Sequence, residues 1–212
     1  MQEGFINSST NQASSARRNI VLLGDSIFDN AVYVPWQSAV IDHIRRMLPE
    51  DCSATLLARD GDVIASIGAQ LACVPESATH LVLSIGGNDA LQSQGVLTLP
   101  ADSIYSALGC LADIQESFQR AYRAMLWSVL ALQKPMVVCT IYDAVPGLPR
   151  EARTALSIFN DIICREAMGA GVPLIDLRSL LCDPGDYSEI SPIEPSAQGG
   201  EKIARAVVSL LL

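Results

Sequence analysis

The stretch "NIVLLGDSIFDN", residues 19 to 30, places a short apolar run directly before a turn that carries a serine. The run has the β-branched and leucine residues of a buried strand, and it ends at Gly24. Glycine permits a tight turn there, and a helix that begins beyond it leaves backbone N–H groups without partners. Such groups stabilise negative charge near Ser26. Taken alone, Gly24-Asp25-Ser26 fits a reactive serine and a helix-capping serine about equally well.

Four more apolar runs of strand length follow the first, and a helical pattern stands between each run and the next. Regular alternation of strands and helices is typical of an α/β domain, in which a parallel sheet has helices on both faces. The crossovers between its strands are then right-handed. The predicted strands comprise residues 19–24, 54–58, 80–85, 136–142 and 173–177.

Between and after the strands, apolar residues recur at steps of three and four, the spacing that puts them on one face of a helix. The longest helix follows the third strand and is predicted to be capped by Asp102 or Ser103. Residues 91–100 break the pattern and are predicted to be a loop. The stripes that predict the helices are Trp36, Val40, Ile41, Ile44 and Met47; Val63, Ile67 and Leu71; Ile104, Leu108, Leu111, Ile114, Phe118, Tyr122, Met125 and Val129; Leu156, Phe159, Ile162 and Ile163; and Ile203, Val207 and Leu210.

The composition limits the classes of protein to which the chain can belong. Its 212 residues fit one α/β domain, and apolar residues at 50% against 17% charged ones predict a sizeable core. The net charge of −9, without a basic run, argues against a nucleic-acid partner. No apolar run approaches the roughly 18 residues of a membrane span, and residues 1–18 lack the pattern of a signal peptide. We expect a flexible tail over residues 1–18, one domain over residues 19–212 and a cytoplasmic protein.

Six cysteines are spread along the chain without close pairs or a Cys-x-x-Cys motif, and only two histidines are present. This spacing gives no set of metal ligands, and we expect neither a metal nor a cofactor. Buried free thiols in a reducing compartment are the simplest interpretation. The cysteines are Cys52, Cys73, Cys110, Cys139, Cys164 and Cys182.

Loops at the carboxyl ends of the strands form the working edge of such a sheet. After the second strand comes Asp60-Gly61-Asp62, where the glycine lets a backbone N–H approach a ligand closely. After the third comes Gly86-Gly87-Asn88-Asp89, where Asn88 can aim its amide at an oxyanion. Each segment alone predicts an ordinary turn, but together with Ser26 they bring a hydroxyl and three independent donors to one edge. The segments gathered at this edge are residues 24–30, 59–62, 86–95, 142–150 and 182–195.

The segments "LLGDSIFDN", "DGD" and "GGND" match, in order and spacing, the first three sequence blocks of the SGNH (GDSL) hydrolases, and "PSAQGGEKIA" extends the likeness towards the C-terminus. Over residues 19–212 the chain resembles the arylesterase, thioesterase and lysophospholipase type of this family. The resemblance implies a three-layer α/β/α, flavodoxin-like fold with a five-stranded parallel sheet of order 2-1-3-4-5. It also implies hydrolysis of a small-molecule ester or thioester by Ser26, with an oxyanion hole made of the Ser26 N–H, the Gly61 N–H and the Asn88 side chain.

The chain departs from the family pattern in the last block, which is Asp-x-x-His-Pro in the family and Ser191-Pro192-Ile193-Glu194-Pro195 here. The family histidine is the general base and the aspartate orients it, so both residues that serve the nucleophile are changed together. His80 begins the third strand, at the opposite edge of the sheet from Ser26, and His43 lies well along the following helix. Neither histidine is expected to replace the missing base.

Glu194 occupies the position of the base, and its carboxylate reaches as far from the backbone as the distal nitrogen of a histidine. Its weakness is basicity, because a free glutamate has a pKa of about 4.3 against about 6.5 for histidine, a difference near 3 kcal/mol. Burial among apolar neighbours can raise that pKa part of the way. A hydroxyl at Ser191 can orient Glu194 by donating a hydrogen bond, whereas a second carboxylate would repel it. We therefore predict a Ser26–Glu194 dyad, with Asp25 and Ser191 as binding residues of the site.

Three other interpretations stay open at this point. The domain could be catalytically silent and bind an acyl or carbohydrate ligand, because loss of a triad histidine can lower turnover by about 10⁶. Asp25, Asp89 and Glu194 could form a cation site, although nothing in the sequence has metal-ligand spacing. The base could also come from Asp183 or Asp186 in the final loop.

The acyl group of the substrate is not defined by the sequence. Residues 91–103, with Val96, Leu97 and Leu99, form an apolar wall for an acyl chain in one interpretation and a surface loop that packs its own leucines in the other. No feature predicts an oligomeric state.

Overall fold

A parallel sheet lies at the centre of the molecule in a computed structural model that describes residues 17–212. Its five strands are hydrogen-bonded in the order β2-β1-β3-β4-β5, which confirms the predicted order and direction. The tail predicted for residues 1–18 falls almost entirely outside the described residues. The strands are β1 (Asn19–Gly24), β2 (Ser53–Leu56), β3 (His80–Ser84), β4 (Met136–Cys139) and β5 (Leu174–Ile175).

Helices cover both faces of the sheet and complete the predicted three-layer α/β/α arrangement. The α-helices of the described residues are α1 (Val40–Met47), α2 (Ile67–Leu71), α3 (Gly87–Ser93), α4 (Ile104–Leu130), α5 (Arg150–Gly169), α6 (Leu177–Leu180) and α7 (Ala197–Leu211). α1, α6 and α7 pack on one face of the sheet, and α2, α4 and α5 pack on the other. Short 3-10 helices lie at residues 31–33, 64–66, 94–98 and 184–186.

The central strand β1 is buried on both faces. Ile20 and Leu22 contribute to the core beneath α1 and α7, whereas Val21 and Leu23 contribute to the core beneath α4 and α5. A strand in this position is apolar at every residue, which is why "IVLL" shows no polar alternation. Pairing with β3 puts Gly24 beside Ser84 at the carboxyl edge, where β1 delivers the turn that follows it.

Strands β4 and β5 are shorter than predicted, because side chains replace strand partners beyond their ends, and β2 and β3 end at Leu56 and Ser84, before the predicted residues 58 and 85. After β4, Asn160 acts in place of a neighbouring strand: its Oδ1 accepts from the Ile141 N–H and its Nδ2 donates to the Ile141 carbonyl, both at 2.8 Å. After β5, the side chain of Asp176 caps α6 by accepting a backbone N–H, so the chain turns into a helix at once.

The first predicted helix is wrong at its beginning. Trp36 lies outside α1, with a left-handed backbone (φ 66°) and a fully exposed side chain. The helix begins at Val40 instead, because Oδ2 of Asp42 accepts a hydrogen bond from the Ala39 N–H at 3.1 Å and closes the first turn. The rest of the predicted stripe up to Ile44 is buried as expected.

The loop predicted for residues 91–100 is also wrong. α3 continues to Ser93, and a 3-10 helix follows from Gln94 to Thr98. This segment contacts α5, but its Leu91, Leu97 and Leu99 stay exposed, so its sequence lacks a full apolar stripe. α4 then begins after Ser103, whose Oγ accepts from the Ser106 N–H at 3.1 Å, which confirms the predicted Ser103 cap.

Two of the predicted apolar stripes extend beyond the core, one at the beginning of α4 and one at the end of α7. Ile104 and Leu108, in the first turns of α4, are 82% and 58% exposed. In α7 the buried terminal residue is Leu211, and the predicted Leu210 is 48% exposed. Helix periodicity therefore located the helices but did not locate where the sheet beneath them ends.

The six cysteines are free, but only Cys139 is buried. Cys73 and Cys182 are exposed and the others are half-buried, so the prediction of buried thiols is wrong for most of them. No helix of residues 17–212 is long and apolar enough to cross a membrane.

Candidate active site

The turn after β1 requires glycine at position 24. Gly24 has φ +135°, and a Cβ built on it would lie 1.8 Å from the Ser84 carbonyl oxygen of β3. The close approach lets the Asp25 N–H donate to that same carbonyl at 3.3 Å. Ser26 follows directly and is 8% exposed, so its hydroxyl lies at the carboxyl edge of the sheet with little freedom around it.

Asp25 is a buried carboxyl group beside the serine. It is 2% exposed, and its Oδ1 accepts from the Ile27 N–H at 3.2 Å. Burial raises the pKa of Asp25 to about 7, with the negative charges of Asp89 and Glu194 acting in the same direction. The predicted binding residue therefore lies at the site, in an environment that favours its neutral form.

Gln70 connects the serine turn to the loop after β2. Its Oε1 accepts from the Gly24 N–H at 2.8 Å, and its Nε2 donates to the Gly24 carbonyl at 2.7 Å. The same nitrogen donates to Oδ2 of Asp62 at 2.6 Å. Gln70 is 3% exposed, so these bonds form away from water and hold two site segments at a fixed separation.

Asn88 lies in the first turn of α3, which begins after Gly86 in a left-handed conformation. Its Nδ2 donates to the Asp62 carbonyl at 2.9 Å, which ties it to the loop after β2. Its neighbour Asp89 accepts from the Ile64 N–H at 3.1 Å and strengthens the same connection. An amide nitrogen carries two hydrogens, so one N–H of Asn88 is left for a ligand.

Two backbone N–H groups at this edge are also free. Within residues 17–212, neither the Ser26 N–H nor the Gly61 N–H donates to a protein acceptor. Gly61 has φ +80°, and the space that its Cβ would occupy is open. With Asn88, these groups have the chemistry of an oxyanion hole.

Glu194 is brought next to Ser26 from the far end of the chain. Its Oε1 lies 3.5 Å from Oγ of Ser26, and its buried Oε2 has no hydrogen-bond partner among the described residues. Glu194 is 5% exposed. Burial raises its pKa and the charge of Asp60 adds to this, whereas the nearby Ser191 and Ser26 hydroxyls lower it.

Main-chain contacts hold the segment that carries Glu194. The Ser188 N–H donates to the Glu194 carbonyl at 2.9 Å, and Nδ2 of Asn30 donates to the Pro195 carbonyl at 3.0 Å. The hydroxyl of Tyr142 donates to the carbonyl of Ile193. The segment is thereby attached both to the serine loop and to the chain after β4.

The other candidate bases lie elsewhere. Asp186 and Asp183 both form ion pairs with Lys202, at 2.7 and 3.0 Å. His43 is buried in α1 with its ring beside Gly200, and His80 begins β3 at the edge opposite to Ser26. None of the four side chains contacts Ser26 among the described residues.

The structure offers no support for the cation site considered from the sequence. Among residues 17–212, no group of three His, Cys, Asp or Glu side chains is arranged to hold a metal ion. Asp89 is turned towards the Ile64 N–H instead.

Three residues that organise the site were missed in the sequence: Gln70, Asn30 and Tyr142. Gln70 carried a usable signal, because it follows the apolar stripe of α2 and a buried amide demands hydrogen-bond partners. Neither Asn30 nor Tyr142 carried a sequence signal for its role, since each donates a hydrogen bond to a carbonyl group more than 50 residues away along the chain.

An apolar cavity of about 130 Å³ opens beside the polar residues of the site. Val96 and Leu97 line it, so the predicted apolar wall is present in part, whereas Leu99 is 59% exposed. The polar residues in its wall include Asp25, Ser26, Asn88 and Glu194.

Comparisons with known proteins agree with this architecture. A sequence model of the GDSL-like lipase/acylhydrolase family matches residues 22–202. A comparison with curated protein sequences finds no match.

Among solved structures, an extracellular lipase from Streptomyces rimosus is similar, with a TM-score of 0.67 and 19% identity over 92% of this chain and 100% of that one. A phospholipase A1 from Streptomyces albidoflavus has a TM-score of 0.64 and 17% identity over 93% and 100%. An acetyl xylan esterase variant from Geobacillus stearothermophilus has a TM-score of 0.64 and 14% identity over 91% and 93%. At sequence identities of 14 to 19%, the similarity to these structures shows the fold alone.

Proposed function

Because this chain belongs to the GDSL-like lipase/acylhydrolase family, we propose that it hydrolyses carboxylic esters or thioesters with Ser26 as nucleophile and Glu194 as general base. One observation carries the proposal: the carboxylate of Glu194 lies 3.5 Å from Oγ of Ser26, buried and with one oxygen unpartnered. The separation is longer than a typical hydroxyl–carboxylate hydrogen bond of about 2.7 Å. Catalytic pairs are often this loose before substrate binds.

In the first half of the reaction, Glu194 takes the proton of the Ser26 hydroxyl while Oγ attacks the acyl carbon. The carbonyl oxygen becomes an oxyanion, which accepts hydrogen bonds from the Ser26 N–H, the Gly61 N–H and the Asn88 amide. The bond between the acyl carbon and the leaving oxygen or sulfur then breaks, and protonated Glu194 returns its proton to the leaving group. An acyl ester of Ser26 and a free alcohol or thiol result.

In the second half, Glu194 takes a proton from a water molecule, which attacks the acyl ester. A second oxyanion forms in the same place and collapses, and Oγ of Ser26 leaves with the proton that Glu194 returns. The acid is released and both residues regain their starting states. One carboxylate thus serves as base and as acid in each half, as a triad histidine does.

The weak point of this mechanism is the basicity of the carboxylate. A free glutamate is a poorer proton acceptor than histidine by about two pKa units, near 3 kcal/mol. Burial raises the pKa of Glu194 and offsets part of that difference. No imidazolium forms here, so an orienting aspartate has no charge to stabilise, and a serine at position 191 suits a carboxylate better.

Labelling with a fluorophosphonate tests the proposal directly, because such probes react only with an activated serine. We expect mass spectrometry to place the label on Ser26, and we expect the protein to cleave short nitrophenyl esters. Ser26→Ala should abolish both, and Glu194→Gln should slow ester cleavage by about 10²-fold or more.

Full activity of Glu194→Gln alongside an inactive Ser26→Ala would assign the base to another group. Absence of labelling together with absence of ester cleavage would favour a silent domain that binds its ligand without turning it over.

A further inference from the structure

We infer that the acid part of the substrate is a straight acyl chain of medium length, and that this chain lies in the apolar cavity between α3, α4 and α5. The inference rests on the proposed function, because it describes the acyl group that Ser26 receives. It concerns a part of the molecule that takes no part in proton transfer.

The walls of the cavity come from successive turns of helices. The lining residues of α5 follow helical spacing, and those of α4 face them across the cavity. The segment from α3 through residue 98 closes a third side with apolar residues that include Val96 and Leu97. The lining residues of the two long helices that carry the argument are Ala152, Ala155, Leu156 and Phe159 of α5, and Leu111 and Ile114 of α4.

The chemistry of the walls selects the ligand. The only charged side chains in the lining, within the described part of the chain, are Asp25 and Glu194, and both lie at Ser26. Beyond the polar residues at Ser26, the polar side chains of the lining in the described part of the chain are Ser93, Gln94 and Tyr142. They are too few to partner every hydroxyl of a sugar ring, which disfavours the carbohydrate ligand considered from the sequence. A hydrocarbon chain needs no partners and gains about fourfold in affinity for each methylene group that it buries.

The size of the cavity sets the length of the chain. Its volume is about 130 Å³, and an apolar cavity of about 150 Å³ takes a ligand the size of benzene, with its six carbon atoms. The cavity therefore holds roughly six carbon atoms. A hexanoyl ester is expected to fill it, whereas an acetyl group leaves most of it empty.

Two small side chains keep the cavity open. Ala152 and Ala155 lie on the lined face of α5 and are half-buried. A leucine at position 155 adds three carbon atoms inside the cavity and displaces several methylene groups of the ligand. Conversely, an alanine at position 111 removes part of the opposite wall.

The test measures kcat/KM on nitrophenyl esters from two to twelve carbons. Wild type is expected to prefer the six-carbon ester. Ala155→Leu should lose about 20-fold on the hexanoate ester and about threefold or less on the acetate ester, moving the optimum to shorter chains. Leu111→Ala should move it to longer chains. Ala112→Leu is the matched control, since Ala112 is exposed on α4 outside the lining and should leave the profile unchanged.

A binding measurement separates this inference from the proposed mechanism. Hexanamide, which is neutral and resists hydrolysis, should raise the melting temperature of Ser26→Ala more than acetamide does, and Ala155→Leu in that background should remove the difference. If no ester is cleaved but this pattern holds, the acyl site stands and the catalytic proposal fails. If esters are cleaved without a chain-length optimum, or if Ala155→Leu lowers acetate and hexanoate rates equally, the acyl site is overturned.

Discussion

Oγ of Ser26 and Oε1 of Glu194 lie 3.5 Å apart, although the two residues are separated by 168 positions in the chain. In the proposed mechanism the carboxylate acts in place of an imidazole, and it differs from an imidazole in pKa more than in reach. The pH dependence of ester hydrolysis is therefore the most direct way to identify the group that removes the proton.

We expect kcat/KM to fall on the acid side as Glu194 becomes protonated. Burial raises the pKa of Glu194 above the ordinary 4.5, so the midpoint should lie above that value. Glu194→His should remain active and move the midpoint upward, and adding Ser191→Asp should improve that variant by orienting the ring. An acid limb that stays in place in Glu194→His would exclude position 194 as the base.

Asp25 should make the stability of the protein depend on pH. Folding raises its pKa from 3.8 to about 7, so the folded state favours the protonated form. The contribution is fully present below about pH 4 and is lost as the pH rises through 7. Asp25→Asn stays neutral, so its stability relative to wild type should increase by on the order of 1–3 kcal/mol between pH 5 and pH 8.

Urea unfolding at the two pH values measures this change in relative stability. Asp113→Asn is the control, because Asp113 is exposed on α4 and should give the same difference at both pH values. An Asp25→Asn variant whose relative stability does not change with pH would show that Asp25 is ionised in the folded protein throughout.

Gln70→Leu should lower both stability and kcat. The change leaves the N–H and carbonyl of Gly24 and the carboxylate of Asp62 without their buried partner, which should lower the free energy of unfolding by about 3 kcal/mol. Loss of the connection between the two segments should lower kcat by about tenfold with little change in KM, because it displaces oxyanion donors more than the substrate cavity.

Gln70→Glu retains one acceptor for the Gly24 N–H and should fall between the leucine variant and wild type in kcat. Gln37→Leu, on an exposed glutamine, controls for the change in side chain. Equal kcat values in Gln70→Leu and wild type would leave Gln70 with a purely structural role.

Tyr142 and Tyr187 form a matched pair for testing how the segment with Glu194 is held. The hydroxyl of Tyr142 donates to the Ile193 carbonyl, and the hydroxyl of Tyr187 donates to the Leu181 carbonyl at 2.8 Å. Their rings are packed edge to face with centroids 5.4 Å apart. Either Tyr→Phe change should lower the free energy of unfolding by about 1 kcal/mol.

Only Tyr142→Phe should also lower kcat, by about fivefold, because only Tyr142 is bonded to the residue next to Glu194. Urea unfolding and steady-state kinetics on both variants check the expectation. A loss of kcat in Tyr187→Phe as large as in Tyr142→Phe would mean that the hydrogen bond to Ile193 has no special role.

The fold was predictable because its determinants are local. Each apolar run and each helical stripe is contained within one segment, and the strand ends then gather the loops at one edge. The helix boundaries were harder, since capping by Asp42 and the side-chain pairing of Asn160 with Ile141 depend on partners that periodicity does not reveal.

The candidate site was predictable to the extent that it resides in short motifs. Ser26, Gly61, Asn88 and Glu194 were all named from the sequence, and the structure places Ser26, Asn88 and Glu194 in the wall of one cavity. The sequence did not predict the hydrogen bonds that connect the segments carrying these motifs. Gln70 belongs to no sequence motif: its place in α2 indicates a buried amide, but which groups it binds follows only from their positions in the fold.

The segment that carries Glu194 is attached through main-chain groups: Asn30 and Tyr142 bind the carbonyls of Pro195 and Ile193, and Ser188 binds that of Glu194 itself. Every residue offers such a carbonyl, so the position of the segment does not depend on which side chains stand at 191 and 194. Substitutions at positions 191 and 194 therefore leave these three hydrogen bonds in place. In evolutionary terms, the side chains presented to Ser26 from this segment are free to vary while the fold is kept.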